Sequence, residues 1–70
     1  MNTQCDKLLD YLQNHISITP KDAWNKLGIY RLSARVFDLR RLGYDIATNR
    51  KEVLDPFGEP KYVAEYRLRA

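Results

Sequence analysis

The chain has 70 residues, 44% of them hydrophobic and 30% charged, with only three Gly and three Pro. This length supports one small domain, and the composition excludes a disordered or collagen-like chain. Twelve Lys and Arg against nine Asp and Glu leave +3, a mildly basic balance that permits a polyanionic partner without demanding one.

A core this small leaves little room for a deep catalytic cavity. No Ser/His/Asp order, no carboxylate pair in a plausible cleft and no Gly-rich phosphate loop is present, so the chain does not read as an enzyme. The single cysteine, Cys5, excludes an internal disulfide, and with the single histidine, His15, it falls short of the four ligands of a structural zinc site. Neither metal nor cofactor is expected. The first residues lack the charged and apolar regions of a secretory signal. No apolar run approaches the ~20 residues that span a bilayer. The expectation is a cytoplasmic protein.

The elements follow in chain order. Leu8, Leu9 and Leu12, with Cys5 one turn earlier, form one apolar stripe and predict a helix over 3–14, capped by Asn2 or Thr3. His15 to Ile18 is rich in β-branched residues and predicts a brief strand at Ile16 and Ser17. Thr19-Pro20-Lys21-Asp22 is a helix start: Thr19 as N-cap, Pro20 at N1, Asp22 as the acidic end of a capping box. That helix, 20–27, closes at Gly28. A third helix over 31–42 carries Leu32, Val36 and Leu39, with Leu42 at the edge of the same face, and Gly43 stops it. Ser33, Ala34, Phe37, Asp38, Arg40 and Arg41 fall on its outer side, with Arg31 and Arg35 flanking the apolar stripe.

After Gly43 the period changes. Tyr44, Ile46 and Thr48 alternate with Asp45, Ala47 and Asn49, and Tyr62, Ala64, Tyr66 and Leu68 alternate with Val63, Glu65 and Arg67. Asp55 to Pro60 is a dense turn signal. The pattern predicts a hairpin of strands 44–54 and 61–68 joined by six residues. Trp24 and the tyrosines Tyr11, Tyr44, Tyr62 and Tyr66 read as core, because aromatics supply much of the area a small domain buries.

Charge is concentrated in the second half. Residues 1–30 carry three basic and three acidic side chains, so the whole net charge lies in 31–70. Within the third helix Arg31, Arg35, Arg40 and Arg41 face Asp38 alone, an excess equal to that of the entire chain. A short capped helix, a turn opening with Gly and a second, Arg-rich helix make a helix-turn-helix, and the following hairpin makes a wing. The predicted fold is therefore α+β, a winged helix-turn-helix of three helices and a two-stranded hairpin over 1–70. In such arrangements the second helix of the pair enters the major groove, leading with its N-terminal residues.

The stretch Leu27-Gly-Ile-Tyr-Arg-Leu-Ser-Ala-Arg-Val-Phe-Asp-Leu-Arg, with Gly43-Tyr-Asp-Ile downstream, resembles the small helix-turn-helix domains found mostly in phages and prophages. Ile18-Thr-Pro and Tyr66-Arg-Leu extend the resemblance over residues 7–68. It implies a winged DNA-binding module with Tyr30, Arg31, Ser33, Ala34 and Arg35 at the head of the recognition helix. Phe37 departs from the small or polar residue expected there. Outward, it fits either a wedge against thymine methyls or a protein interface.

The expected DNA contacts are thus Tyr30, Arg31, Ser33, Ala34, Arg35, Phe37 and Arg41 on the helix, with Arg50, Lys51 and Lys61 reaching phosphates from the wing. Each has an ordinary competitor: an Arg35–Asp38 pair at i,i+3, or lysines that protect a sheet edge. Arg40 reads equally as structural or as a phosphate contact. The leading function is sequence-specific binding of double-stranded DNA in a bacterial host's nucleoid, as a phage or prophage regulator or an excisionase-like architectural factor. A lone reader of this size covers few base pairs, so a repressor would act as a dimer or cooperative array. The alternative is a protein-interaction module, such as a phage inhibitor of a host factor, favoured by outward Phe37 and Phe57 and the low net charge.

Overall fold

A computed structural model describes residues 3–69. Helix α1 (Thr3–Asn14) is followed by α2 (Pro20–Asp22), which continues directly into a π-helical turn (Ala23–Leu27). Helix α3 (Leu32–Arg41) and the strands β1 (Ile46–Leu54) and β2 (Pro60–Leu68) complete the chain. Asn2, the other cap expected for α1, lies outside the described residues, and Thr3 is already helical.

The start of α2 is built as its sequence dictates. Thr19 Oγ1 accepts the Asp22 N–H at 3.3 Å, and Asp22 Oδ2 accepts the Thr19 N–H at 3.4 Å, so each side chain satisfies a backbone donor left over at the helix end. The other end departs from expectation. The helix widens into a π turn, and Ile29 N–H reaches back six residues to Ala23 O at 3.0 Å while Gly28 takes the left-handed conformation at φ 67°. A π turn rotates fewer degrees per residue than an α turn. Ala23 and Leu27 therefore stay on the core side while Trp24 swings off it. Trp24 is 59% exposed, contrary to its expected place in the core.

The core draws on every element except α2. Leu8 and Cys5 from α1, Ile18 and Ile29 from the connections, and Val36 and Leu39 from α3 are all almost completely buried, and Ile46 and Tyr66 close the cluster from the hairpin. Tyr11 is buried as expected, its ring stacked on His15 at 3.9 Å and its hydroxyl accepting from Lys26 Nζ at 3.4 Å. Leu42, expected at the edge of the buried face, caps α3 and is 60% exposed.

The strands pair antiparallel in a register from Ile46↔Leu68 to Leu54↔Pro60, joined by five residues, 55–59, rather than six. Ile18 pairs with Tyr66 through two backbone hydrogen bonds of 2.9 Å and adds a one-residue rung on the far side of β2. This bridge replaces the strand expected at Ile16 and Ser17. Only Ile18 joins the sheet and is buried, and Ile16, outside the bridge, is exposed.

The register sorts the hairpin into two faces, since residues opposite one another share a face. One face carries Ile46, Thr48, Arg50 and Glu52 with Leu68, Tyr66, Ala64 and Tyr62. It is buried at its base and exposed toward the tip. Tyr62 falls on this distal, exposed part and is also not a core residue. The other face carries Ala47, Asn49, Lys51 and Val53 with Arg67, Glu65, Val63 and Lys61.

Candidate nucleic-acid interface

Helix α3 buries Leu32, Val36 and Leu39 and turns its two flanks to different neighbours. On one flank Arg40 spans to β1: Nη2 donates to Ile46 O at 2.6 Å and to Thr48 Oγ1 at 2.7 Å, and Nε donates to Ile46 O at 3.1 Å. Because Thr48 lies on the face that also bears Arg50 and Tyr62, this fork turns that face of the wing toward α3. Arg40 thus takes the structural role.

The opposite flank meets α1. Arg35 Nη2 lies 3.1 Å from Asp38 Oδ2, and Cys5 Sγ donates weakly to the same carboxylate oxygen at 3.9 Å. Arg35 Nε is buried with no protein hydrogen-bond partner among the described residues. Burial pushes the Cys5 thiol above its ordinary value, and the Asp38 carboxylate adds to the rise. Arg35 is therefore half-buried and engaged by Asp38.

Between the flanks lies the open face. Ser33 and Phe37 are exposed, Ala34 is half-buried, and Arg41 lies over the Phe37 ring at 5.8 Å. Arg31, at the N-cap, and Tyr30, 83% exposed, stand at the head of the helix. Tyr30, Arg31, Ser33, Phe37 and Arg41 are thus presented together.

The three wing cations are not. Arg50 lies over the Tyr62 ring at 4.7 Å, a diagonal cross-strand pair that fixes the guanidinium on the face turned toward α3. Lys51 is on the other face beside Glu65 at 3.9 Å. Lys61 shares that face, within 4.0 Å of Asp55 and 3.7 Å of Glu59. At the tip Asp55 Oδ1 accepts the N–H groups of Phe57 and Glu59 at 2.8 and 2.9 Å, which orders the turn and presents Phe57, 90% exposed, between two carboxylates.

Two residues were missed as surface features, Trp24 and Tyr62. For Tyr62 a signal existed: a symmetric five-residue connection places it diagonal to Arg50. For Trp24 none did, because the α-to-π change has no marker in the sequence. Trp24 meets Tyr30 edge-on, with ring centroids 5.9 Å apart and planes at 81°. Among the described residues, no group of three or more His, Cys, Asp or Glu is placed to hold a metal ion. No helix among them is long and apolar enough to cross a membrane.

Two helices joined by a glycine turn, an open face on the second of them and a following two-stranded hairpin define a helix-turn-helix protein with a wing. The chain matches the family model of the winged helix-turn-helix domain over residues 3–70 and belongs to that family. No curated protein and no solved structure matches it. Membership points to DNA binding.

Proposed function

We propose that this protein binds double-stranded DNA sequence-specifically, as a phage- or prophage-type transcriptional regulator or an excisionase-like architectural factor acting in the cytoplasm. The observation that carries this reading is the single surface formed by the open face of α3 and the Arg50 face of the wing, held together by the Arg40 fork. Arg31 and Ser33 read base edges in the major groove, Ala34 allows close approach, and Tyr30 and Phe37 supply apolar contacts. Arg41 and Arg50 meet phosphates. Arg35 joins only if it leaves Asp38, and Lys51 and Lys61, on the other wing face, contribute long-range attraction.

Two phosphate contacts, Arg41 and Arg50, give a log–log salt slope of about −1.8, so affinity for a random 30-base-pair duplex should fall about tenfold between about 50 and 200 mM salt. Anisotropy of the labelled duplex reads this directly, and no binding at the lower salt overturns the reading. Arg31→Ala should weaken a selected site by roughly 1–3 kcal/mol and random DNA much less. Equal loss on both removes Arg31 from the base readers. The alternative, capture of a host or phage protein, draws support from the wing tip alone, where Phe57 stands between Asp55 and Glu59. Its test is Phe57→Ser, which should then abolish partner capture and leave DNA affinity unchanged.

A further inference from the structure

Among the large apolar side chains left in solvent, two groups stand apart. The wing tip offers Leu54 and Phe57, 70% and 90% exposed, flanked by Asp55 and Glu59. Those carboxylates repel a polyanion, so the tip does not suit DNA. The other group is Trp24 and Tyr30, packed edge to face across the glycine turn. The chain from Ala23 to Phe37 contains no Asp or Glu and carries Lys26, Arg31 and Arg35. With Arg35 held by Asp38, Lys26 and Arg31 are the cations nearest this apolar pair in the chain, and the combination complements a surface that is anionic overall and apolar in places.

The pair also has the right position. Tyr30 directly precedes Arg31, the N-cap of α3, and the N-terminal residues of a recognition helix are those that reach base edges. In the major groove the apolar feature is the 5-methyl group of thymine. The π turn, which aims Trp24 outward, and the edge-on packing against Tyr30 hold the indole without the help of the core. A ring fixed in this way loses little freedom on binding.

We infer that Trp24 and Tyr30 form an apolar reader of thymine methyl groups at the leading end of α3, giving this protein a preference for thymine at the edge of its site. The inference rests on the DNA-binding reading above and assigns it a specificity element. Burying one methyl group is worth about a fourfold change in affinity, so one or two methyls give about a four- to fifteenfold preference.

Trp24 is the sole tryptophan, so its emission reports on this spot. The full chain is titrated, at about 50 mM salt, with an end-labelled duplex of alternating dA and dT. A second duplex carries deoxyuridine at every thymidine and so lacks only the methyl groups. Label anisotropy gives affinity, and acrylamide quenching gives the accessibility of Trp24. Expected are a marked fall in quenching on saturation with the thymidine duplex and weaker binding of the deoxyuridine duplex by the factor above. Trp24→Ala and Tyr30→Ala should bring the two affinities together while still binding the deoxyuridine duplex. Saturable binding with unchanged quenching, or a thymidine preference left undiminished by both Trp24→Ala and Tyr30→Ala, overturns the inference and leaves DNA binding intact. Failure to bind either duplex overturns both. Because both side chains are exposed, circular dichroism of the variants should match the parent.

Discussion

Replacing Arg40 with Met keeps the side chain's length and its packing but deletes the fork that joins α3 to the wing. Three donor contacts vanish, two to Ile46 O and one to Thr48 Oγ1. A hydrogen bond from a charged group contributes about 1.5–3 kcal/mol net, and water can reach part of this cluster, so the total loss should be about 2 kcal/mol. In a domain of this size each kcal/mol shifts Tm by about 4–8 °C, giving an expected fall of about 8–16 °C by circular dichroism. Arg40→Lys separates structure from charge. It keeps the cation but cannot reproduce the planar fork. If the fork is the strut described above, Lys should lose most of the stability that Met loses, and both should weaken DNA binding more than removal of one phosphate contact would. A Tm change under about 3 °C in Arg40→Met, or full rescue of DNA affinity by Lys, would refute the structural role and return Arg40 to the phosphate contacts.

The remaining predictions address the cations, the turn and the thiol. Arg50→Ala should weaken binding to any duplex and reduce the salt slope by about 1, whereas Lys51→Ala, on the other face beside Glu65, should leave the slope near its parent value; the reverse ranking would mean the wing presents its other face. Gly28→Ala meets no atom within 4 Å but forces an L-residue to φ 67°, so urea denaturation should report a loss of about 1–2 kcal/mol, and an unchanged midpoint would mean the turn relaxes. The Cys5 thiol is raised above its ordinary 9.0 in the folded protein, chiefly by burial. The folded state therefore disfavours the thiolate. Its contribution is fully present below the unfolded value and is lost as pH rises through that value and toward the folded one. Tm should fall more steeply above about pH 9 in the parent than in Cys5→Ala, and parallel curves would remove Cys5 as the cause.

What could be read in advance was whatever local chemistry dictates. The capping box at Thr19 and Asp22, the glycine stop at Gly28 and the spacing of Leu32, Val36 and Leu39 are short-range signals, and each led to the element it predicts. So was the outward aim of Phe37, which follows from helical period alone. Hidden were the facts that need two elements at once. Whether Arg50 or Lys51 faces α3 depends on hairpin register, whereas the Arg35–Asp38 pair, an i,i+3 neighbour on one helix, was open to reading from spacing. Trp24 was misread for a third reason: hydrophobicity says that a side chain prefers burial, and a π turn decides that it does not get it.

Alternation along the hairpin constrains how related wings can differ in length. Adding one residue to β1 between Thr48 and Asn49 would move Arg50 to the outer face and bring its neighbour Asn49 inward, because side chains switch sides at every step. Adding two residues to each strand would keep every side chain on its present face and simply carry the tip farther out. Insertions and deletions in this segment should therefore come in pairs, and a sequence that breaks the parity is expected to carry its cation one position away to compensate. Parity of the wing, countable in any related sequence without a structure, is thus a direct indicator of which residue shares the face of Thr48 and Tyr66.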